Sequence, residues 1–204
     1  MPKYELYYFA IRGLGEVPRQ LLALAGVEYT NIRVEDEAWE EGSIKRKMPF
    51  GQMPVLFIDD KPLPQSLAIN RYLAKLCGLA GKTPFETALV DAMADLWKDF
   101  NDEFEIYWDI KLGWEEGDVK AAKTRHAVPA VHKFFPMITK TIKESRSGFL
   151  VGDSLTWVDV LVANYADEIN LEEPALIADY PEILAHKERI HAIHALKKWI
   201  KNRE

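Results

Sequence analysis

Apolar and polar positions change rhythm part-way along the chain. Up to about residue 78, short apolar runs alternate with helically spaced stretches; from Phe85 onward the spacing is helical throughout. Tyr4-Glu-Leu-Tyr-Tyr-Phe9 predicts a buried strand, broken by Arg12-Gly-Leu-Gly15. Glu16 to Ala25 reads as a helix with Val17, Leu21, Leu24 and Ala25 on one face and Gly26 at its end. Tyr29 to Val34 predicts a second strand, and the charged stretch Glu35 to Met48 an irregular helix. Val55–Ile58 and Lys61–Leu63, joined at Asp59-Asp60, predict a hairpin. Ser66 is placed to cap a helix from Leu67 to about Leu76, with Gly78 beyond it. The order β-α-β-α-β-β-α predicts a mixed four-strand sheet with helices on its faces.

Glycine and proline crowd the segment that follows, so residues 1–78 form the expected α/β domain and residues 79–84 its linker. Residues 85–204 are expected to be all-helical. The predicted helices are Phe85 to about Leu112, Val119 to Ser145, Thr156 to Asn170, Pro181 to Ile190 and His194 to Asn202. Pro129 and Pro136 should kink the second of these or shift its ends.

Composition narrows the function classes. With 204 residues, 48% of them hydrophobic, the chain can bury a substantial core. A formal net charge of −6 leaves no basic excess for nucleic acid or an anionic membrane. No apolar run is long enough to span a bilayer, and the polar N-terminus lacks the apolar stretch of a signal peptide. Cys77 is the single cysteine, which excludes an internal disulfide and suits a cytoplasmic protein. His186, His191 and His194 have no partners at metal-ligand spacing, so no metal is expected. Phosphate-binding glycine loops, the G-x-S-x-G elbow and C-x-x-C are absent from the sequence.

What remains are groups suited to holding an anionic, peptide-like ligand. Tyr8 ends the first strand, where open α/β units bind ligands, and its phenol can donate to an anion; the alternative is a tyrosine that merely suits a strand. Met53-Pro54 enters the third strand either through a cis bond or through an ordinary turn. Gln65-Ser66 opens a helix, whose N-terminus is either simply capped or offers N–H groups to a carboxylate. Trp39 with Lys45 could hold a second carboxylate, or form a solvated helix face with one packed tryptophan.

Taken in order, the motifs resemble the cytosolic glutathione transferases over nearly the whole chain. The resemblance rests on Tyr4-x-Leu-x-Tyr-Phe, Arg12-Gly and Glu16. It continues through Trp39-Glu-Glu-Gly-Ser-Ile-Lys45, Phe50-Gly-Gln-Met-Pro-Val-Leu56 and Gln65-Ser-Leu-Ala-Ile69. Val90-Asp-Ala92 and Leu150-Val-Gly-Asp-Ser-Leu-Thr-Trp-Val-Asp159 extend it into the second half. Pro2, Tyr4, Pro49-Phe-Gly51 and the Trp199-Ile-Lys ending are similar to the sigma class, which includes haematopoietic prostaglandin D synthases. The Trp39-to-Gln52 stretch is also similar to the pi class.

The resemblance implies a thioredoxin-like N-terminal domain and an all-α C-terminal domain that contributes an acceptor site. It implies Tyr8 as the catalytic residue, with glutathione bound by Tyr8, Trp39, Lys45, Gln52, Met53, Pro54, Gln65 and Ser66. Asp99 is implied to serve the partner subunit of a homodimer, and Thr156 with Asp159 to form a helix-capping box. The implied function is conjugation of glutathione, the co-substrate, to small hydrophobic electrophiles in cytoplasmic detoxification. Phe9, Leu14, Phe104 and Trp108 are expected at the acceptor, in an open site that could also take haem or other planar ligands. Leu14 stands where many relatives carry an arginine, and Ile106 where prostaglandin D synthases carry a tryptophan. A ligandin-type carrier without catalysis and a prostaglandin-H2 D-isomerase are the alternatives.

Overall fold

The computed structural model describes residues 2–203, in two compact units: residues 2–80 together with 192–203, and residues 81–191. The first unit is built on a four-stranded sheet of β1 (Tyr4–Phe9), β2 (Thr30–Val34), β3 (Val55–Ile58) and β4 (Lys61–Pro64), in the order β2-β1-β3-β4. β1 and β2 are parallel, while β3 runs antiparallel to both β1 and β4. The helices of this unit are α1 (Gly13–Ala25), α2 (Asp36–Glu40) and α3 (Ser66–Leu76). This is the β-α-β-α-β-β-α order that the sequence predicts.

α1 begins earlier than expected, because Gly13-Leu14-Gly15 forms its first turn instead of a break. Gly26, at φ 61, closes it: its N–H donates to Ala23 and the N–H of Val27 to Leu22. Leu6, Leu21, Leu22 and Leu73 are fully buried here, each contributing about 1.5–3 kcal/mol of apolar burial. α1 is buried all round from Gly15 to Leu22, which includes Glu16, Arg19 and Gln20. A later segment explains the acid: α10 (His194–Asn202) packs on α1, where Trp199 Nε1 donates to Glu16 Oε1 at 2.9 Å and Arg203 Nη1 at 3.1 Å. Residues 192–203 thus pack with the α/β unit, although their sequence groups them with the helical region.

The second unit is helical: α4 (Pro84–Leu112), α5 (Val119–Ala122), α6 (Val128–Glu144), α7 (Trp157–Glu172), α8 (Pro174–Ile177) and α9 (Pro181–His191). Thr83 caps α4 by accepting from the N–H of Glu86 at 3.1 Å. The single helix expected over 119–145 is two helices joined by a π-helical turn, Lys123–Ala127. Pro129, in the first turn of α6, has no N–H to continue the ordinary ladder, and the widened turn ends two residues before it. The short α8 was not foreseen.

α7 is buried on nearly every side from Trp157 to Ala166, as a central helix must be. Its start is fixed by the expected capping box of Thr156 and Asp159. Fully buried Asp159 also accepts from the N–H of Leu150 at 2.8 Å, and His186 Nε2 lies 3.4 Å from it. Burial pushes the Asp159 carboxyl up and the His186 imidazole down from their ordinary values. At the other end of α7, burial alone would raise Glu173. Hydrogen bonds from Lys111, Lys123 and Tyr107 outweigh it and hold the carboxyl at about 2.

Candidate active site

The site grows from the junction of β1 and α1. Tyr8, 6% exposed, lies under the first turn of the helix. A Cβ on Gly13 would meet the Tyr8 phenol oxygen at 2.6 Å, and one on Gly15 the ring carbon Cδ1 at 2.5 Å. Only glycine lets the helix start this close, so the residues that read as a strand break are what seat the ring. The gain is a hydrogen bond: Leu14 N–H, one of the N–H groups that a helix start leaves without a helical partner, donates to Tyr8 Oη at 3.0 Å.

Beside Tyr8 opens a cleft of about 360 Å³, lined by Phe9, Leu14, Trp39, Lys45, Gln52, Met53, Pro54, Gln65 and Ser66, with Gly51 and Pro64. Phe9 and Trp39 meet edge-on at 5.5 Å, and Lys45 Nζ sits 5.6 Å from the Trp39 ring centre. Among the described residues no carboxylate pairs with Lys45, so its charge is available to an anion. The Met53–Pro54 peptide is cis. Gln65 adopts φ 75, a conformation rare for a side-chain-bearing residue, and its Nε2 donates to Gln52 Oε1 at 3.3 Å. Ser66 is the first residue of α3, not its cap; Gln65 holds the cap position and supplies no side-chain bond there. The first N–H groups of α3 therefore stand at the cleft with the positive end of the helix dipole.

The cleft is thus a walled trough with an ammonium and a helix N-terminus, and the Tyr8 phenol adjoins it behind Leu14. That set suits an extended anion with carboxylates. By contrast, the apolar cavity among Trp97, Phe100, Phe135 and Ile169 of the helical unit, about 30 Å³, has room for a water or two. Among the described residues no group of three or more His, Cys, Asp or Glu could hold a metal ion, and no helix is long and apolar enough to cross a membrane.

Two family models match the chain: "Glutathione S-transferase, N-terminal domain" over residues 4–75 and "Glutathione S-transferase, C-terminal domain" over residues 102–203. A probable glutathione S-transferase 9 of Caenorhabditis elegans is 41% identical over 203 residues, covering 100% of this chain and 98% of the relative. The chain belongs to the glutathione S-transferase family. It is a glutathione transferase by type, and the family's co-substrate is glutathione.

Solved transferases carry the same fold. Na-GST-3 of the hookworm Necator americanus, described as monomeric, is 46% identical with a TM-score of 0.93, over 99% of this chain and 98% of its own. A Nu-class transferase of Haemonchus contortus is 45% identical with a TM-score of 0.89, over 100% and 98%. A prostaglandin synthase D of Nilaparvata lugens is 31% identical with a TM-score of 0.90, over 100% of both chains.

Nine residues singled out in the sequence line the transferase's cleft, and Tyr8 adjoins it. The other three lie on α4. Asp99 is exposed, Phe104 is 6% exposed with its ring tilted against that of Phe100 at 5.2 Å, and half-buried Trp108 carries Lys111 over its ring at 5.1 Å. Gly51 and Pro64 were not singled out; Gly51 lies within the Phe50-to-Leu56 motif, and Pro64 directly precedes Gln65. Arg19 was also missed. It is fully buried, and its guanidinium carbon stands 5.8 Å from the centre of the Tyr8 ring.

Proposed function

We propose that the cleft binds glutathione and that Tyr8 holds the tripeptide's thiol as a thiolate. The observation that supports this most is the bond from Leu14 N–H to the Tyr8 oxygen. A phenol that accepts from one group is polarised, and donates more strongly through its own O–H. In this reading Lys45 and Trp39 take the glycyl carboxylate, and the backbone of Met53, before Pro54, pairs with the cysteinyl part. Gln65, Ser66 and the start of α3 take the γ-glutamyl end, with Gln52 bracing Gln65.

The energies suffice. A free thiol titrates near 8.5, and lowering that by about two units needs ~2.7 kcal/mol in favour of the thiolate. A charge-assisted hydrogen bond from Tyr8 supplies about 1.5–3 kcal/mol, and the α1 N-terminus ~0.3–1 kcal/mol. The thiolate then attacks an apolar electrophile without a dedicated base.

We assign the enzyme to cytoplasmic detoxification and to the sigma class, with Phe9 and Leu14 as acceptor residues of the α/β unit and Phe104 and Trp108 as those of the helical unit. Leu14 adds an apolar side chain to the cleft lining, and Ile106 is 44% exposed. Such surfaces suit broad conjugation, with binding of planar ligands such as haem, better than the single pose an isomerase needs. We also propose a homodimer in which Asp99 serves the partner's glutathione. Exposed Phe50 (63%) and Phe85 (73%) are apolar groups that a second copy would cover. Calorimetric titration with glutathione tests the site: wild type should bind in the micromolar to millimolar range, and Gln65→Ala and Ser66→Ala should each weaken binding. Unchanged affinity in both variants would place the tripeptide elsewhere.

A further inference from the structure

We infer that Arg19 is a positioning residue for the reaction: a buried cation whose charge, set by Glu16, strengthens Tyr8 as a donor to the thiolate. The inference rests on the reading of Tyr8 given above and adds a residue that no sequence motif marks.

Four observations place the charge. Arg19 is fully buried, on the same α1 whose first turn bonds the Tyr8 oxygen. Its guanidinium is locked by bonds to the Ile11 carbonyl at 2.8 Å, the Phe9 carbonyl at 3.3 Å and Asn31 Oδ1 at 3.1 Å. Its Cζ stands 5.8 Å from the Tyr8 ring centre. A guanidinium stays protonated in proteins, so a fixed positive charge lies beside the phenol in a water-poor setting, where charges act over longer range.

The second part of the device is the counter-charge. Glu16 Oε2 lies 3.6 Å from Arg19 Nη1, closer than the Tyr8 ring centre. Glu16 does not belong to Arg19 alone, because its Oε1 also accepts from Trp199 at 2.9 Å and Arg203 at 3.1 Å. Trp199 of α10 and Arg203 just beyond it draw on the same carboxylate and leave more of the Arg19 field acting on Tyr8. Of the other neighbours, Arg33 on β2 adds positive charge and Tyr29 is a neutral phenol, pushed up to about 12 by burial.

An arginine that only satisfied the carbonyls after β1 would have no effect on the thiol. The two roles separate in a titration of thiolate absorbance for glutathione bound to the full-length enzyme, read for wild type, Arg19→Lys, Arg19→Gln and Glu16→Gln. Removing the charge in Arg19→Gln should raise the bound thiol's pKa by about half to one unit, a ~3- to 10-fold loss of thiolate on the acid side. Arg19→Lys, which keeps the charge, should stay within ~0.3 unit of wild type. Glu16→Gln should lower the pKa, because it frees Arg19 of its counter-charge. Opposite shifts from two neighbouring substitutions are not what structural damage produces. An unchanged pKa in Arg19→Gln overturns the inference. If Arg19→Gln does not fold, Glu16→Gln decides alone, and a pKa equal to or above that of wild type overturns it. A wild type without bound thiolate defeats the reading of Tyr8 itself; a wild-type thiolate indifferent to both positions defeats only the role of Arg19.

Discussion

The α/β unit and the helical unit are specified in different ways. In the first, single positions carry backbone tasks: Gly13 and Gly15 admit the Tyr8 ring, Gln65 takes φ 75, and Met53–Pro54 is cis. In the second, whole faces do the work. α7 is buried nearly all round, and α4 contributes Phe100, Phe104 and Tyr107 to an aromatic core. A site built on backbone geometry tolerates little change at each residue. A helical face tolerates exchange wherever volume and polarity are kept. The comparison teaches that the glutathione side should be sensitive in chemistry, and the helical unit in stability.

The largest effect should come from the helical unit. Asp159→Ala strips buried acceptors from Leu150 and Thr156, and should cost about 3–5 kcal/mol in denaturant unfolding. Gly15→Ala tests the other half. Its Cβ would meet Tyr8 at the base of its ring, so kcat should fall about 10- to 100-fold, with a stability loss of about 1–3 kcal/mol, smaller than that of Asp159→Ala. A loss of stability without a loss of kcat would break the contrast between the units.

Glu173 gives a pH test. Its folded value of about 2 lies below the ordinary 4.5, so its stabilisation is present above pH ~4.5 and is lost as pH falls toward 2. Glu173→Gln should therefore lose about 1–2 kcal/mol at neutral pH, allowing for screening, and nothing near pH 2 in thermal melts. Smallest is Lys45→Ala, expected to raise the KM for glutathione about 5- to 10-fold with kcat nearly unchanged, since it removes binding common to ground and transition states.

The same contrast decides what could be read from the sequence. The strands, the hairpin and most helices follow from local spacing, and the cleft residues sit in short motifs that keep their order. Gly13-Leu14-Gly15 misled, because helix propensity penalises glycine while the reason for it, the Tyr8 ring, is a tertiary contact. Ser66 looked like a cap because serine commonly is one; the turn at Gln65 moved the helix start by one residue. The π turn before Pro129 answers to a missing hydrogen bond that spacing does not reveal. Arg19 was invisible for a related reason. A charged residue on an amphipathic helix reads as solvent-facing, and what buries it are the carbonyls at the end of β1 and a Glu16 bonded from 183 and 187 residues away.

The central claim is that Tyr8 ionises the thiol of bound glutathione. The direct measurement is the pH titration of thiolate absorbance for wild type against Tyr8→Phe at saturating glutathione. Wild type should titrate about two units below the free thiol's ~8.5, and Tyr8→Phe, still folded and still binding glutathione, at least about one unit higher than wild type. Coincident titration curves for the two proteins would contradict the account.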